Sequence, residues 1–279
     1  MDITCWGARG SIPVSGKEYV RYGGDTPCIE VRAASGEIII IDAGSGIRKA
    51  GNRLMSEGKK QFIMLFTHVH WDHLLGFPFF RPIYYKDTHI DVYGCPFTKG
   101  SMKESISQSM AAPYFPVEFD SLPSDIVFHG ACDGNKSFGS IDIDVIRLSH
   151  PNHGIGFKFT ENGKSFVYLT DNELTFKHPG GLDFEDYRKF SEGADILIHD
   201  AEFKLSEYAN TKTWGHTVYT DALDLALKAG VKRFGLFHHN QERSDDAIDE
   251  MVADCKRISA ENGSTLDCFA VSAGMELSL

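Results

Sequence analysis

Phe62-Ile63-Met64-Leu65-Phe66-Thr67-His68-Val69-His70-Trp71-Asp72-His73 joins an uninterrupted apolar run to three histidines and an aspartate. The run has strand length, which predicts a buried strand that ends at Thr67. Side chains at i and i+2 of an extended segment point the same way, so His68 and His70 can share one ion. Asp72 and His73, at the turn that follows, face a second. Holding four such side chains together is costly without a cation, and the stretch predicts a metal centre where the strand emerges.

The flanking sequence supports a sheet-rich core. Upstream, glycine-punctuated apolar segments predict strands at 3–6, 28–33 and 37–42, the last nearly all isoleucine. Between 95 and 139, Ser, Pro and Gly surround one expected helix at 101–110, and the region reads as an excursion over the core. Strands are expected again at 141–148, 156–160 and 165–170, the last two joined as a hairpin through Asn162-Gly163. Beyond 195 the pattern alternates: strand 196–199, helix 221–229, strand 234–237, helix 245–258. Gly230 reads as a helix stop and Ser244 as a helix cap. Ile248, Met251, Val252, Cys255 and Ile258 fall on one helical face, as expected for packing against a sheet.

Composition narrows the class. The chain has 279 residues, 42% hydrophobic and 24% charged, with no linker, so one domain spanning 1–279 is expected, with the excursion at about 95–139. No apolar run is long enough for a bilayer, and Met1-Asp2-Ile3-Thr4-Cys5-Trp6 lacks a secretory pattern, so no membrane role and a cytoplasmic location are expected. Cys5, Cys28, Cys95, Cys132, Cys255 and Cys268 show no C-x-x-C spacing and read as buried free thiols. A formal charge of −11 disfavours broad electrostatic capture of nucleic acid. His89, His129 and His178 read as solvent-facing.

His68-x-His70-x-Asp72-His73 resembles the signature of the metallo-β-lactamase superfamily. Asp42-Ala43-Gly44-Ser45-Gly46 is similar to its strand-end Asp-x-Gly segment, Ser149-His150-Pro151 to its third motif, Leu169-Thr170-Asp171 to its fourth and Leu236-Phe237-His238-His239 to its fifth. The resemblance implies an α/β fold, a four-layer αββα sandwich with a dinuclear site at one edge. It assigns His68, His70 and His150 to one divalent ion, Asp72, His73 and His238 to the other, and Asp171 as the bridge. His153 and His239 remain alternatives to His150 and His238, which are favoured by their strand-end positions. An all-nitrogen-and-oxygen donor set suits zinc first, and also manganese, iron, cobalt or nickel.

His199-Asp200-Ala201-Glu202 and Trp214-Gly215-His216-Thr217 resemble segments of the phosphodiesterase branch, which includes tRNA 3′-processing endonucleases and carbon–phosphorus-lyase-associated cyclic phosphodiesterases. Asp200 stands where that branch has glutamate. The resemblance implies that Asp200 orients His216 as general acid or phosphate clamp, beside a metal-bridging hydroxide that attacks phosphorus. Aspartate 72 belongs to the same catalytic set. No basic arm for gripping RNA is evident, so the expected substrate is a small or cyclic phosphodiester, with nucleic acid second. A homodimer is what relatives imply. The run 74–85 with Tyr114 and Phe115 reads mainly as core and lid packing, its aromatic faces alternatively walling a site for a nucleobase. Thioester or lactone hydrolysis on the same metals is the alternative reaction. A di-iron redox or sensor role is disfavoured, because such proteins usually carry Glu at the place of His70.

Overall fold

The computed structural model describes residues 1–95, 100–130 and 134–279. Strands β1 (Asp2–Gly7), β2 (Cys28–Arg32), β3 (Ile38–Ile41), β4 (Gln61–Phe66), β5 (His89–Gly94) and β6 (Asp125–Gly130) belong to one sheet. The second sheet holds β7 (Lys136–Phe138), β8 (Ile141–Leu148), β9 (Gly154–Glu161), β10 (Lys164–Leu169), β11 (Ile196–Asp200), β12 (Arg233–Phe237) and β13 (Asp267–Ala270). The last strand, β14 (Glu276–Ser278), returns to pair with β1. Both sheets are mixed: β3 to β6 run parallel, as do β10 to β13, while the remaining neighbours are antiparallel.

Strand periodicity explains the layering. In β3, Ile39 and Ile41 face the second sheet, packing in one core with Ile143, Phe159, Tyr168 and Ile198, whereas Ile38 and Ile40 face outward. A run of four isoleucines therefore serves two cores at once, as a strand buried on both sides requires. The outer face of the first sheet is covered by α1 (Ile47–Ser56), the short turn α2 (Trp71–Leu74) and α3 (Met102–Ser109), through Ile47, Leu54, Leu74, Met102 and Ile106. On the second sheet, α4 (Phe184–Phe190), α5 (Leu205–Thr211), α6 (Tyr219–Ala229) and α7 (Asp245–Glu261) follow in chain order. Tyr187, Leu223, Ala226, Ile248, Met251 and Cys255 pack there. The result is the expected αββα sandwich.

The excursion expected at 95–139 contains more structure than its composition indicates. Besides α3, capped by Ser101, it supplies β6 beside β5 and β7 beside β8, one at the edge of each sheet. These strands are half exposed, and neither the Ile-Val-Phe run of β6 nor the three residues of β7 shows a clear alternation. Cys5, Cys28, Cys255 and Cys268 are buried free thiols, but Cys95 is disulfide-bonded, contrary to its reading as a free thiol. Cys95 directly follows β5. Cys132 lies outside the described residues. Among the described residues, no helix is long and apolar enough to cross a membrane.

Candidate metal centre

Strand direction gathers the site at one edge. β3 and β4 are parallel, and their C-terminal ends deliver Asp42 and the segment from Thr67 onward. In the second sheet β8, β10, β11 and β12 point one way, delivering His150, Asp171, Asp200 and His238. Ligand sites in open α/β sheets lie outside such carboxyl ends. Asp42, Asp171 and His238 adopt left-handed backbone angles, φ 61°, 50° and 56°, turning the chain sharply where each strand stops.

The seven side chains named above converge. Donor atoms of His68, His70, His150 and Asp171 lie within 4.8 Å of one another, as do those of Asp72, His73, Asp171 and His238. Asp171 divides its oxygens between the two groups. Its Oδ2 is 3.6 Å from His68 Nε2 and 3.8 Å from His150 Nε2, and its Oδ1 is 3.4 Å from both His73 Nε2 and His238 Nε2. Asp72 Oδ2 lies 3.2 Å from His238 Nε2 and 3.5 Å from His73 Nε2. One carboxylate thus faces both halves of the cluster.

Each imidazole is aimed by a partner at its other nitrogen. His73 Nδ1 is 2.8 Å from Asp42 Oδ2, His238 Nδ1 is 2.9 Å from Glu202 Oε2, and His150 Nδ1 donates to Gly215 O at 3.0 Å. Thr67 Oγ1 sits 3.0 Å from His68 Nδ1 while also donating to Asp42. These contacts fix the rings with Nε2 toward the centre. His239 instead donates Nε2 to Val271 O at 2.8 Å, and it is His150 rather than His153 that joins the group.

The donor set fits divalent ions. His68 Nε2 and His73 Nε2 are buried with no hydrogen-bond partner, a cost of about 1–3 kcal/mol each unless something else satisfies them. His70 Nδ1 and His150 Nε2 sit 2.9 Å apart, two nitrogens directed at one point. Burial pushes His150 down to about 3 and His68 well below its ordinary value, so both are neutral with lone pairs available. Burial also opposes charge on His73 and His238, yet Asp72 and Asp171 outweigh it and hold both rings up. A divalent cation at the same point would take over from those protons in neutralising the carboxylates.

A further group lies against this cluster. Asp171, Asp200, His216 and His238 also bring donor atoms within 4.8 Å of one another. His216 Nδ1 is 2.6 Å from Asp200 Oδ2 and 3.4 Å from Glu202 Oε2, and its ring stacks on His238 with centroids 4.7 Å apart. Burial alone would push His216 down, but Glu202 and Asp200 outweigh it and hold the imidazole up at about 9.

Glu202 closes the segment quoted for Asp200 but received no role there, and Glu173 lies outside the quoted motifs. Glu202 bridges His238 and His216 and accepts from Asn240 Nδ2 at 2.8 Å. Its place two residues after Asp200 was the available signal. Glu173 accepts from the backbone of Thr213 and Gly215, both at 2.9 Å, and from Tyr208 Oη at 2.6 Å, which secures the loop carrying His216. His178, read as solvent-facing, is buried against the same carboxylate at 2.7 Å. Arg81 donates to Tyr85 on the surface.

The chain is 25% identical to Ribonuclease Z of Thermococcus kodakarensis, with 84% of this chain and 85% of that protein covered. The metallo-β-lactamase fold protein YhfI of Bacillus subtilis superposes with a TM-score of 0.69 at 17% identity, covering 99% of this chain and 98% of YhfI. A diphosphatase from the PhnP family superposes with a TM-score of 0.68 at 16% identity, covering 100% of this chain and 97% of the other. Residues 37–239 match the family described as the beta-lactamase superfamily domain. With most of its length in that match and both sheets of the sandwich in place, the chain belongs to the metallo-β-lactamase superfamily.

Proposed function

We propose that the chain is a metal-dependent phosphodiesterase acting on a small or cyclic phosphodiester. The observation that carries this reading is the His216–Asp200 pair at 2.6 Å, set against Asp171 and His238 of the cluster. In this proposal His68, His70 and His150 hold one ion, Asp72, His73 and His238 hold the other, and Asp171 spans both. Zinc is the proposed ion. Two such ions would supply Lewis acidity and activate water as a nucleophile.

The chain's own residues handle the leaving group. Asp200 accepts the Nδ1 proton of His216 and fixes the ring, leaving Nε2–H as the acid. Glu202 and Asp200 place negative charge beside the ring, which favours its protonated form. Protonation of the departing alkoxide by such a group contributes about 10²–10⁴ in rate. A neighbouring imidazolium also attracts a phosphoryl oxygen.

Similarity to Ribonuclease Z and to a PhnP-family diphosphatase supports phosphorus as the reacting centre. The former also supports nucleic acid as the second substrate reading, against which the charge of −11 weighs. Hydrolysis assays on an aryl phosphodiester, cyclic nucleotides, a 3′-extended RNA, a thioester and a lactone decide the class. Activity confined to the last two would overturn the proposal.

A further inference from the structure

Residues between the proposed ligands build a second feature. While His68, His70 and Asp72 join the cluster, Val69 and Trp71 line an adjoining groove of about 630 Å³ with Phe79, Tyr114 and Phe115. Trp71 is 64% exposed, Phe79 54% and Tyr114 86%, so three large aromatic side chains are open to solvent in one place. Such concentration marks a binding surface rather than ordinary packing. Phe79 and Phe115 meet edge to face at 5.7 Å and 84°, which stiffens one wall.

The lining chemistry narrows the occupant. Among the described residues, the groove carries no charged side chain, so it suits an uncharged group. Ser105 and Gln108 of α3 supply hydrogen-bonding atoms on one side, which a purely apolar occupant would leave unpaired. A flat ring with a polar edge uses both the aromatic faces and these groups. Position narrows it further, because Trp71 lies between His70 and Asp72 in sequence and His70 is itself partly exposed. The groove therefore adjoins the backbone segment that carries these side chains, and a substituent extending from a phosphate at the cluster past His70 would meet Trp71 first.

We propose that this groove is a nucleobase subsite, with Trp71, Phe79 and Tyr114 offering stacking faces and Gln108 meeting the base edge. The inference rests on the phosphodiesterase reading and makes the substrate a nucleotide diester.

Calorimetric titration of the metal-loaded protein with adenosine 5′-monophosphate and with ribose 5-phosphate tests it, since the two ligands differ by the base alone. The expected result is at least about tenfold tighter binding of the nucleotide, given the strength of base–aromatic stacking. Trp71→Ala and Tyr114→Ala should each shrink that ratio, while Trp71→Phe and Tyr114→Phe should keep most of it. Equal affinities in the wild type, or a ratio untouched by both alanine variants, would overturn the subsite. If that happens while phosphodiesters are still hydrolysed, the phosphodiesterase reading stands alone. If neither phosphate binds and no diester is cleaved, both fall together.

Discussion

Glu202 Oε2 lies 2.9 Å from His238 Nδ1, a buried carboxylate directing a buried imidazole. The same oxygen is 3.4 Å from His216 Nδ1, so one residue couples the proposed ion-binding histidine to the proposed acid. Glu202→Gln keeps the size and removes the charge. Loss of such an orienting partner costs about 10–100-fold in metal affinity. Titration against a competing chelator should show that loss at one of two ion sites, and wild-type affinity at both would refute the role.

Removing His216 separates acid chemistry from metal binding. His216→Ala should lower kcat by about 10²–10⁴ on a diester with a poor alkoxide leaving group. Two bound ions per chain should remain. The loss should be much smaller with p-nitrophenolate, which departs without a proton. An equal loss on both substrates would point to a phosphate clamp instead of an acid.

How much of this was legible in the sequence follows from where the contacts lie. His68 to His73 are contiguous, and each later ligand ends a recognisable apolar strand, so the cluster could be read as a series of local motifs. Glu173 resists that approach, because its partners at 178, 208, 213 and 215 meet only in the folded chain. Edge strands β6 and β7 were hidden by half-exposure, which shortens the continuous apolar run that reveals β3 or β10. The exposure of Trp71 has no sequence signal at all, since burial of an aromatic is the ordinary expectation.

Stripping the ions should destabilise the fold as well as stop turnover. His68 Nε2 and His73 Nε2 are buried without partners, and two carboxylates face the same centre. An ion present at 100 times its Kd stabilises by about 2.7 kcal/mol. Dialysis against dipicolinate should therefore lower Tm by several degrees and abolish hydrolysis, with both restored by zinc. An unchanged Tm would show that the cluster is not an ion site.

Asp195 gives a pH dependence remote from the cluster. It accepts from the Ser165 backbone at 2.9 Å, from Lys232 at 2.6 Å and from Lys164 at 3.4 Å. Burial would raise its carboxyl, but Lys232 and Ser165 outweigh that and hold it below the ordinary range. A depressed folded-state pKa means that the stabilisation is complete above the unfolded value of about 3.9 and disappears as pH falls through the folded value. Both lysines are largely exposed, so screening limits the charge effect to about 1 kcal/mol. Urea unfolding should show Asp195→Asn less stable by about that amount at pH 7, with the gap closing below pH 4. A gap that persists to pH 2 would contradict the assignment.

Gly215 is the point where the loop holding His216 meets the ion site. Its φ is +94°, its carbonyl accepts from His150 Nδ1, and a Cβ added there would fall 2.0 Å from that same nitrogen. Glu173 grips the Gly215 backbone, so the loop cannot retreat freely and the imidazole must give way. Gly215→Ala should therefore weaken metal binding through His150. Gly230→Ala is the control, since its φ is +64° and a Cβ there meets nothing within 4 Å. Both variants carry backbone strain of about 1–2 kcal/mol, but only Gly215→Ala places a methyl against a proposed ligand. Metal content measured beside thermal unfolding separates the two effects: both variants should unfold earlier, and the Gly215 variant alone should lose ion affinity. Equal affinity in the two would mean that His150 does not bind an ion through the orientation seen here.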